Sequence, residues 1–218
     1  ALDILRQNIR QPIKHELSDR YKGIVRIYKP PIVGQKYLVF ADPSDGKEDP
    51  HAIVVTNLTG EEQACSHGMT PADMCAQIYD ELIRLYNNAF NCFELNTRAG
   101  GIFSMKLEEL KTTNIAPFIK SNGDIERNGK KGWWSSKPLW NKIIWNFEEA
   151  VRTLQITVYT KEALDEFNNF IVPEGEDPQK VRGAHDDFID AWARVWFLRR
   201  YVPSTSVAKA FSFKYRES

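Results

Sequence analysis

Tyr37-Leu38-Val39-Phe40-Ala41-Asp42-Pro43-Ser44-Asp45-Gly46 is the stretch on which the fold turns. Its unbroken apolar run predicts a strand buried on both faces, and the Pro-Ser-Asp-Gly segment predicts a turn. Between them stands Asp42, an acid at a strand end, which is costly if buried without a partner. Two further sites repeat the pattern. Glu94 follows the apolar run Phe90-Asn91-Cys92-Phe93, and Asp186 and Asp187 open a helix in Gly183-Ala184-His185-Asp186-Asp187-Phe188. Three acids aimed at one spot would repel, at roughly 4 kcal/mol per close pair for a separation of about 4 Å and an effective dielectric near 20. A divalent cation removes that cost, and oxygen-only ligands suit Mg²⁺ or Mn²⁺. The residues therefore predict a metal-dependent phosphoryl-transfer site. In it Asp42 bridges two ions, Glu94 comes from a neighbouring strand, and Asp187 or Asp186 comes from the helix start.

Working outward, Ala52-Ile53-Val54-Val55 and residues 62–66 predict two more strands, joined to the first by turns as an antiparallel meander. Thr70-Pro71-Ala72-Asp73 starts a helix, with Met74, Ile78, Leu82 and Leu85 at helical spacing. After the Glu94 strand, Gly100-Gly101 precedes a short helix to Leu110, and Ile115 to Ile119 reads as a strand. Asn122-Gly123 and Asn128-Gly129 mark an inserted β-hairpin. Ser136 caps a helix striped by Leu139, Ile143, Phe147, Val151 and Leu154. A short strand at 156–159, a helix at 161–170, an exposed acidic loop at 174–179 and a long helix from about 186 to 201 complete the order. Residues 1–30 read as a lead-in or linker, 31–203 as the domain, and 204–218 as a C-terminal tail. The order predicts an α/β fold, a mixed β-sheet flanked by helices.

Composition narrows the class. The 218 residues fit one domain, and 42% apolar content supports a sizeable core. No stretch reaches the roughly 20 apolar residues of a membrane span. The N-terminus lacks the apolar core of a signal peptide, and it also lacks an initiator Met, so the chain reads as a fragment or as processed. Three cysteines in apolar contexts read as reduced core thiols, and Cys65, His67 and Cys75 have no zinc-finger spacing. Zero net charge argues against tight independent DNA binding, leaving room for a local basic surface of Lys130, Lys131 and Lys137.

The element order and acid positions resemble the ribonuclease H-like nucleases. A closer resemblance is to the C-terminal nuclease domain of the large terminase subunit of tailed phages and herpesviruses. Four blocks carry it: Phe40-Ala41-Asp42-Pro43-Ser44-Asp45-Gly46 with Asp49; Phe93-Glu94-Leu95-Asn96; Gly132-Trp133; and Gly183-Ala184-His185-Asp186-Asp187-Phe188. The resemblance implies a two-ion Mg²⁺ or Mn²⁺ endonuclease that cuts concatemeric viral double-stranded DNA when packaging starts and ends. It also implies an ATPase domain in the same full-length subunit, since no G-x-x-x-x-G-K-[ST] loop occurs here. A small terminase subunit, a portal and a procapsid in the host cytoplasm are implied as partners, and no membrane. Around the acids, Asp45 and Asp49 read as outer ligands or loop acids. His185 reads as a phosphate- or water-orienting group or a structural histidine, and Asn96 as a support for Glu94. Asp190 reads as a surface acid. Another ribonuclease H-like enzyme, a junction resolvase or a ribonuclease, and a non-catalytic DNA-tracking module are the alternative expectations.

Overall fold

The structure is a computed structural model that describes residues 1–171 and 178–203. A five-stranded sheet in the order β1-β4-β3-β2-β5 organises it, built from β1 (Val25–Ile27), β2 (Tyr37–Asp42), β3 (His51–Asn57), β4 (Glu62–Gly68) and β5 (Phe90–Phe93). Neighbours are antiparallel except β2 and β5, which run parallel, as a crossover through a helix requires. The helices are α1 (Leu2–Arg6), α2 (Glu16–Arg20), α3 (Ala72–Leu85), α4 (Arg98–Glu109), α5 (Lys137–Arg152), α6 (Lys161–Asn168) and α7 (Asp187–Leu198).

Strand alternation sorts the core into two layers. Tyr37, Val39, Ala41, Ile53 and Val55 pack with α3 and α4. Leu38, Phe40, Ala52 and Val54 pack with α5, α6 and α7. Asp42 shares the parity of Leu38 and Phe40, so it faces the α7 side. Because both faces are covered, β2 reads as a continuous apolar run and not as an alternating one. A hairpin is present as β6 (Pro117–Ile119) and β7 (Ile125–Lys131), turning at Asn122-Gly123; its first strand is the one the sequence read separately at 115–119, and Asn128-Gly129 lies inside β7 and forms no turn of its own.

Several expectations need correction. Residues 1–30 are no linker: β1 pairs with β4, and Leu5, Leu17, Val25, Ile27 and Tyr28 are buried. Their apolar positions are too sparse to show a period, and tertiary contact, not local pattern, orders them. The predicted strand at 156–159 is a single bridge, Glu61 to Thr157. The buried Glu62 carboxylate accepts the backbone N–H groups of Tyr159 and Thr160, which replaces a ladder. Gly100 and Gly101 lie inside the first turn of α4, not before it. Leu154 falls past the end of α5, in the left-handed region at φ +57°, and is exposed. Phe170–Ile171 and Gln179–Lys180 form a two-stranded ribbon, β8 and β9. Most of the predicted acidic loop and all of the predicted 204–218 tail lie outside the described residues.

At the start of β3, His51 is buried between two hydroxyls, Ser66 Oγ at Nε2 and Thr70 Oγ1 at Nδ1, both at 2.8 Å. Burial, with the nearby His67 adding to it, pulls its pKa from 6.5 to about 4. The unfolded chain therefore takes up a proton that the folded chain refuses. The stability this provides is full above the unfolded value and is lost as pH falls toward 4. From the width of that shift, the stability of the wild type relative to His51→Gln should fall by about 3 kcal/mol between pH 7 and pH 4. Urea titrations across that range check it, and a pH-independent difference would contradict it.

Candidate active site

The sheet delivers its acids to one edge. Glu94 follows β5, whose parallel pairing with β2 continues through Glu94 N–H donating to Ala41 C=O at 3.1 Å. On the other side Trp133 braces it: Trp133 N–H donates to Phe93 C=O, and Leu95 N–H donates to Trp133 C=O, each at 2.8 Å. Glycine is required beside this strand end. A Cβ on Gly100 would lie 2.4 Å from the Glu94 carbonyl oxygen, so only glycine lets α4 start there. Thr97 caps that start, accepting the Gly100 N–H at 3.1 Å. Gly46 serves the Asp42 loop similarly: it sits at φ +72°, and a Cβ would lie 2.5 Å from the Thr70 backbone.

From the opposite layer, α7 contributes Asp190. Ligand-type oxygens of Asp42, Glu94 and Asp190 lie within 4.8 Å of one another. Arg194, one turn further along α7 and almost fully buried, ties two of them together. Its Nη2 meets Glu94 Oε1 at 2.9 Å and its Nη1 meets Asp190 Oδ2 at 3.0 Å. The guanidinium lies over the Trp140 ring at 4.6 Å. Burial first, then the charges of Glu94 and Asp190, holds the Asp42 carboxyl well above the usual carboxylate range, with Arg194 opposing. Burial likewise pushes Asp190 up to about 6 against the pull of Arg194. With all three acids ionised, as a bound cation would hold them, three carboxylates and one guanidinium leave two negative charges, and every free donor is an oxygen. That set fits a hard divalent cation.

Asp42 and Glu94 thus meet, but their third partner is Asp190, which the sequence reads as a surface acid. Asp187 lies instead against His67 and Glu166. Asp186 is the N-cap residue of α7 without a capping side-chain bond, and Lys180 Nζ holds its Oδ1 at 2.7 Å. Glu166 does the capping from α6, accepting the Phe188 and Ile189 N–H groups, and burial pushes its pKa up to about 8. Asp42, Glu94, Asp186, Asp187 and Asp190 all line one cleft of about 640 Å³, with Asp45 and Asp49 at its wall. The Asp45 carboxylate accepts the Lys47 N–H. Asn96 does not reach Glu94; it exchanges two hydrogen bonds with the Ser135 backbone and so secures the segment after Trp133. His185 is exposed, with Nδ1 3.7 Å from Asp187 Oδ2. Lys130 and Lys131 are exposed on β7, and Lys137 opens α5. Trp133 is buried core, whereas Trp134 is half exposed.

Arg194 had a sequence signal that the strand-end acids overshadowed. It stands alone in Ala191-Trp192-Ala193-Arg194-Val195-Trp196-Phe197, and a charge in so apolar a helix must be buried and paired. Asp190, at i−4, is its nearest helical neighbour of opposite sign.

Comparison with solved structures fixes the fold. The large terminase nuclease of thermophilic phage G20c with bound magnesium superposes with a TM-score of 0.65 at 16% identity, over 88% of this chain and 94% of that one. The chain has the fold of large terminase nuclease domains. That of Thermus phage P74-26 matches with a TM-score of 0.64 at 15% identity, over 90% and 94%. The nuclease domain of the terminase subunit gp2 of bacterial virus Sf6 matches at 0.50 and 9% identity, over 90% and 96%. The G20c domain has also been crystallised with cobalt and with zinc. By sequence, no protein-family model and no curated protein matches the chain.

Removing the guanidinium while keeping its bulk isolates its electrostatic role. Arg194→Met should cost about 3–5 kcal/mol in EDTA, because it leaves buried carboxylates facing one another. Millimolar Mn²⁺ should recover much of that loss. Denaturant titrations with and without metal check it, and a loss unaffected by Mn²⁺ would uncouple Arg194 from the acids.

Proposed function

We propose that this chain is the metal-dependent endonuclease domain of a DNA-packaging terminase large subunit. In this reading it cuts concatemeric viral double-stranded DNA at the start and end of packaging. The observation that carries the reading is the meeting of Asp42, Glu94 and Asp190 at one sheet edge, in a fold shared with the G20c nuclease, which has been crystallised with bound magnesium. Asp42, Glu94 and Asp190 would hold the cation, Mg²⁺ or Mn²⁺. A divalent cation held there would activate water for attack and offset charge on the scissile phosphate. The residual charge of the protein set matches one dication, so a second ion would need further negative charge, which phosphates of the bound DNA would supply. Arg194 fixes the Glu94 and Asp190 carboxylates, and the packed ends of β2 and α7 keep Asp42 and Asp190 from relaxing apart. An ATPase domain of the same subunit, a small terminase subunit and a portal on a procapsid in the host cytoplasm are the partners this role entails. No helix among the described residues is long and apolar enough to cross a membrane.

Asp42→Ala should abolish Mn²⁺- or Mg²⁺-supported plasmid cleavage while the melting transition stays cooperative. Undiminished cutting by the folded variant would remove Asp42 from the site. Parallel assays on four-way junctions and RNA–DNA hybrids separate a terminase nuclease, which should prefer neither, from a resolvase or a ribonuclease.

DNA contact should run through the exposed lysines of the β6–β7 hairpin. With no net charge on the chain, duplex binding should be weak, indifferent to sequence and salt-dependent, its slope rising by about 0.9 per phosphate contacted. Lys130→Glu with Lys131→Glu should lower cutting on all duplexes alike and flatten the salt dependence, with metal dependence unchanged. Tight sequence-specific binding at physiological salt would overturn this, as would full activity in the double variant.

A further inference from the structure

A second donor cluster stands beside the carboxylate set and differs from it in chemistry. It joins three elements: His67 at the end of β4, Glu166 on α6 and Asp187 at the first position of α7. One ligand-type atom from each lies within 4.8 Å of the others. Stacking on Phe188, with ring centroids 4.6 Å apart, fixes the His67 ring plane. Its Nε2 faces Asp187 Oδ2 at 3.8 Å, too far for a hydrogen bond. Both atoms are shielded from solvent and neither has a hydrogen-bond partner. A buried polar atom left without a partner is costly. Glu166 spends one oxygen on two backbone N–H groups, which orients it and leaves carboxylate lone pairs over.

We propose that His67, Glu166 and Asp187 form a second divalent-cation site, separate from Asp42, Glu94 and Asp190 and selective for a borderline metal such as Zn²⁺ or Co²⁺. Two bonds of about 2.1 Å span up to roughly 4.2 Å, so one ion fits the gap between His67 and Asp187. That contact satisfies both orphaned atoms at once. His185 Nδ1, 3.7 Å from the same Asp187 oxygen, lies on the exposed side of the cluster and outside the three-residue ligand set. Mixed imidazole and carboxylate donors favour Zn²⁺ or Co²⁺ over Mg²⁺, whereas the neighbouring oxygen-only set has the opposite preference. The positive end of the α7 dipole opposes a cation, and two carboxylates outweigh it. The ion pins the first turn of α7 to β4 and α6, and Asp190 sits one turn further along the same helix. Its role is therefore positional: it stiffens the element that presents Asp190. The proposal does not depend on the nuclease reading.

The test uses tag-free, EDTA-stripped chain titrated with Co²⁺ and followed by visible d–d absorption. Wild type is compared with Asp42→Asn, His67→Gln and Glu166→Gln, each checked for folding by circular dichroism. One Co²⁺ spectrum should persist in Asp42→Asn and weaken at least tenfold in affinity in the other two. In wild type, Zn²⁺ should shift the His67 Nε2 resonance in ¹⁵N spectra, a readout that needs no variant. A wild-type Co²⁺ spectrum in folded His67→Gln would overturn the site, as would its loss in Asp42→Asn or an unmoved His67 resonance.

Discussion

The buried guanidinium of Arg194 is what lets the acidic edge of this sheet exist. Glu94 comes from a strand end and Asp190 from the helix packed over it, and Arg194 between them lies over the rings of Phe40 and Trp140. Without a counter-charge, packing β5 against α7 would press like charges together out of water. Arg194 is close enough to hydrogen-bond both, and it is planar enough to lie on Trp140 while doing so. It neutralises one charge of three. What remains is a net negative charge that the proposed cation would offset.

Geometry does the rest. A parallel pair, β2 and β5, ends at the same edge, so two consecutive strand ends place acids side by side without any loop having to fold back. Parity decides which way they point: Asp42 shares the face of Phe40, and Glu94 that of Cys92. The helix whose start lies above that edge is α7, and its i, i+4 spacing puts Asp190 and Arg194 on one side. Close backbone approaches at Gly46 and Gly100 fix the loops after each strand end.

How legible this was depended on where each charge sat. Asp42 and Glu94 stood out because an acid ending an apolar run has no solvated face to occupy. The antiparallel meander of β2, β3 and β4 followed from apolar runs, and the hairpin turn from Asn122-Gly123. Asp190 did not stand out, since acids on helices usually face water, and only the tertiary position of α7 turns that face inward. Residues 1–30 failed for a related reason: short elements with a few apolar positions acquire their structure from the sheet edge they join. Asn96 was misassigned because nearness in sequence to Glu94 said nothing of Ser135, 39 residues away, which it holds.

The three aspartates at the head of α7 show how one motif divides its labour. Asp186 and Asp187 are successive and diverge by about 100°, whereas Asp190 lies one turn on from both, and in this fold each of the three takes a different partner. Asp186 turns to Lys180 and anchors the β9 ribbon. Asp187 turns toward β4, into a pocket whose other walls are an imidazole and a carboxylate. Asp190, three residues on from Asp187, is the one that reaches the strand ends. A pair of adjacent acids therefore reads from sequence as redundancy, whereas in the fold each faces a different neighbour. Exchanging their roles would require α7 to rotate. Phe188, Trp192 and Val195, buried along its whole length, prevent that.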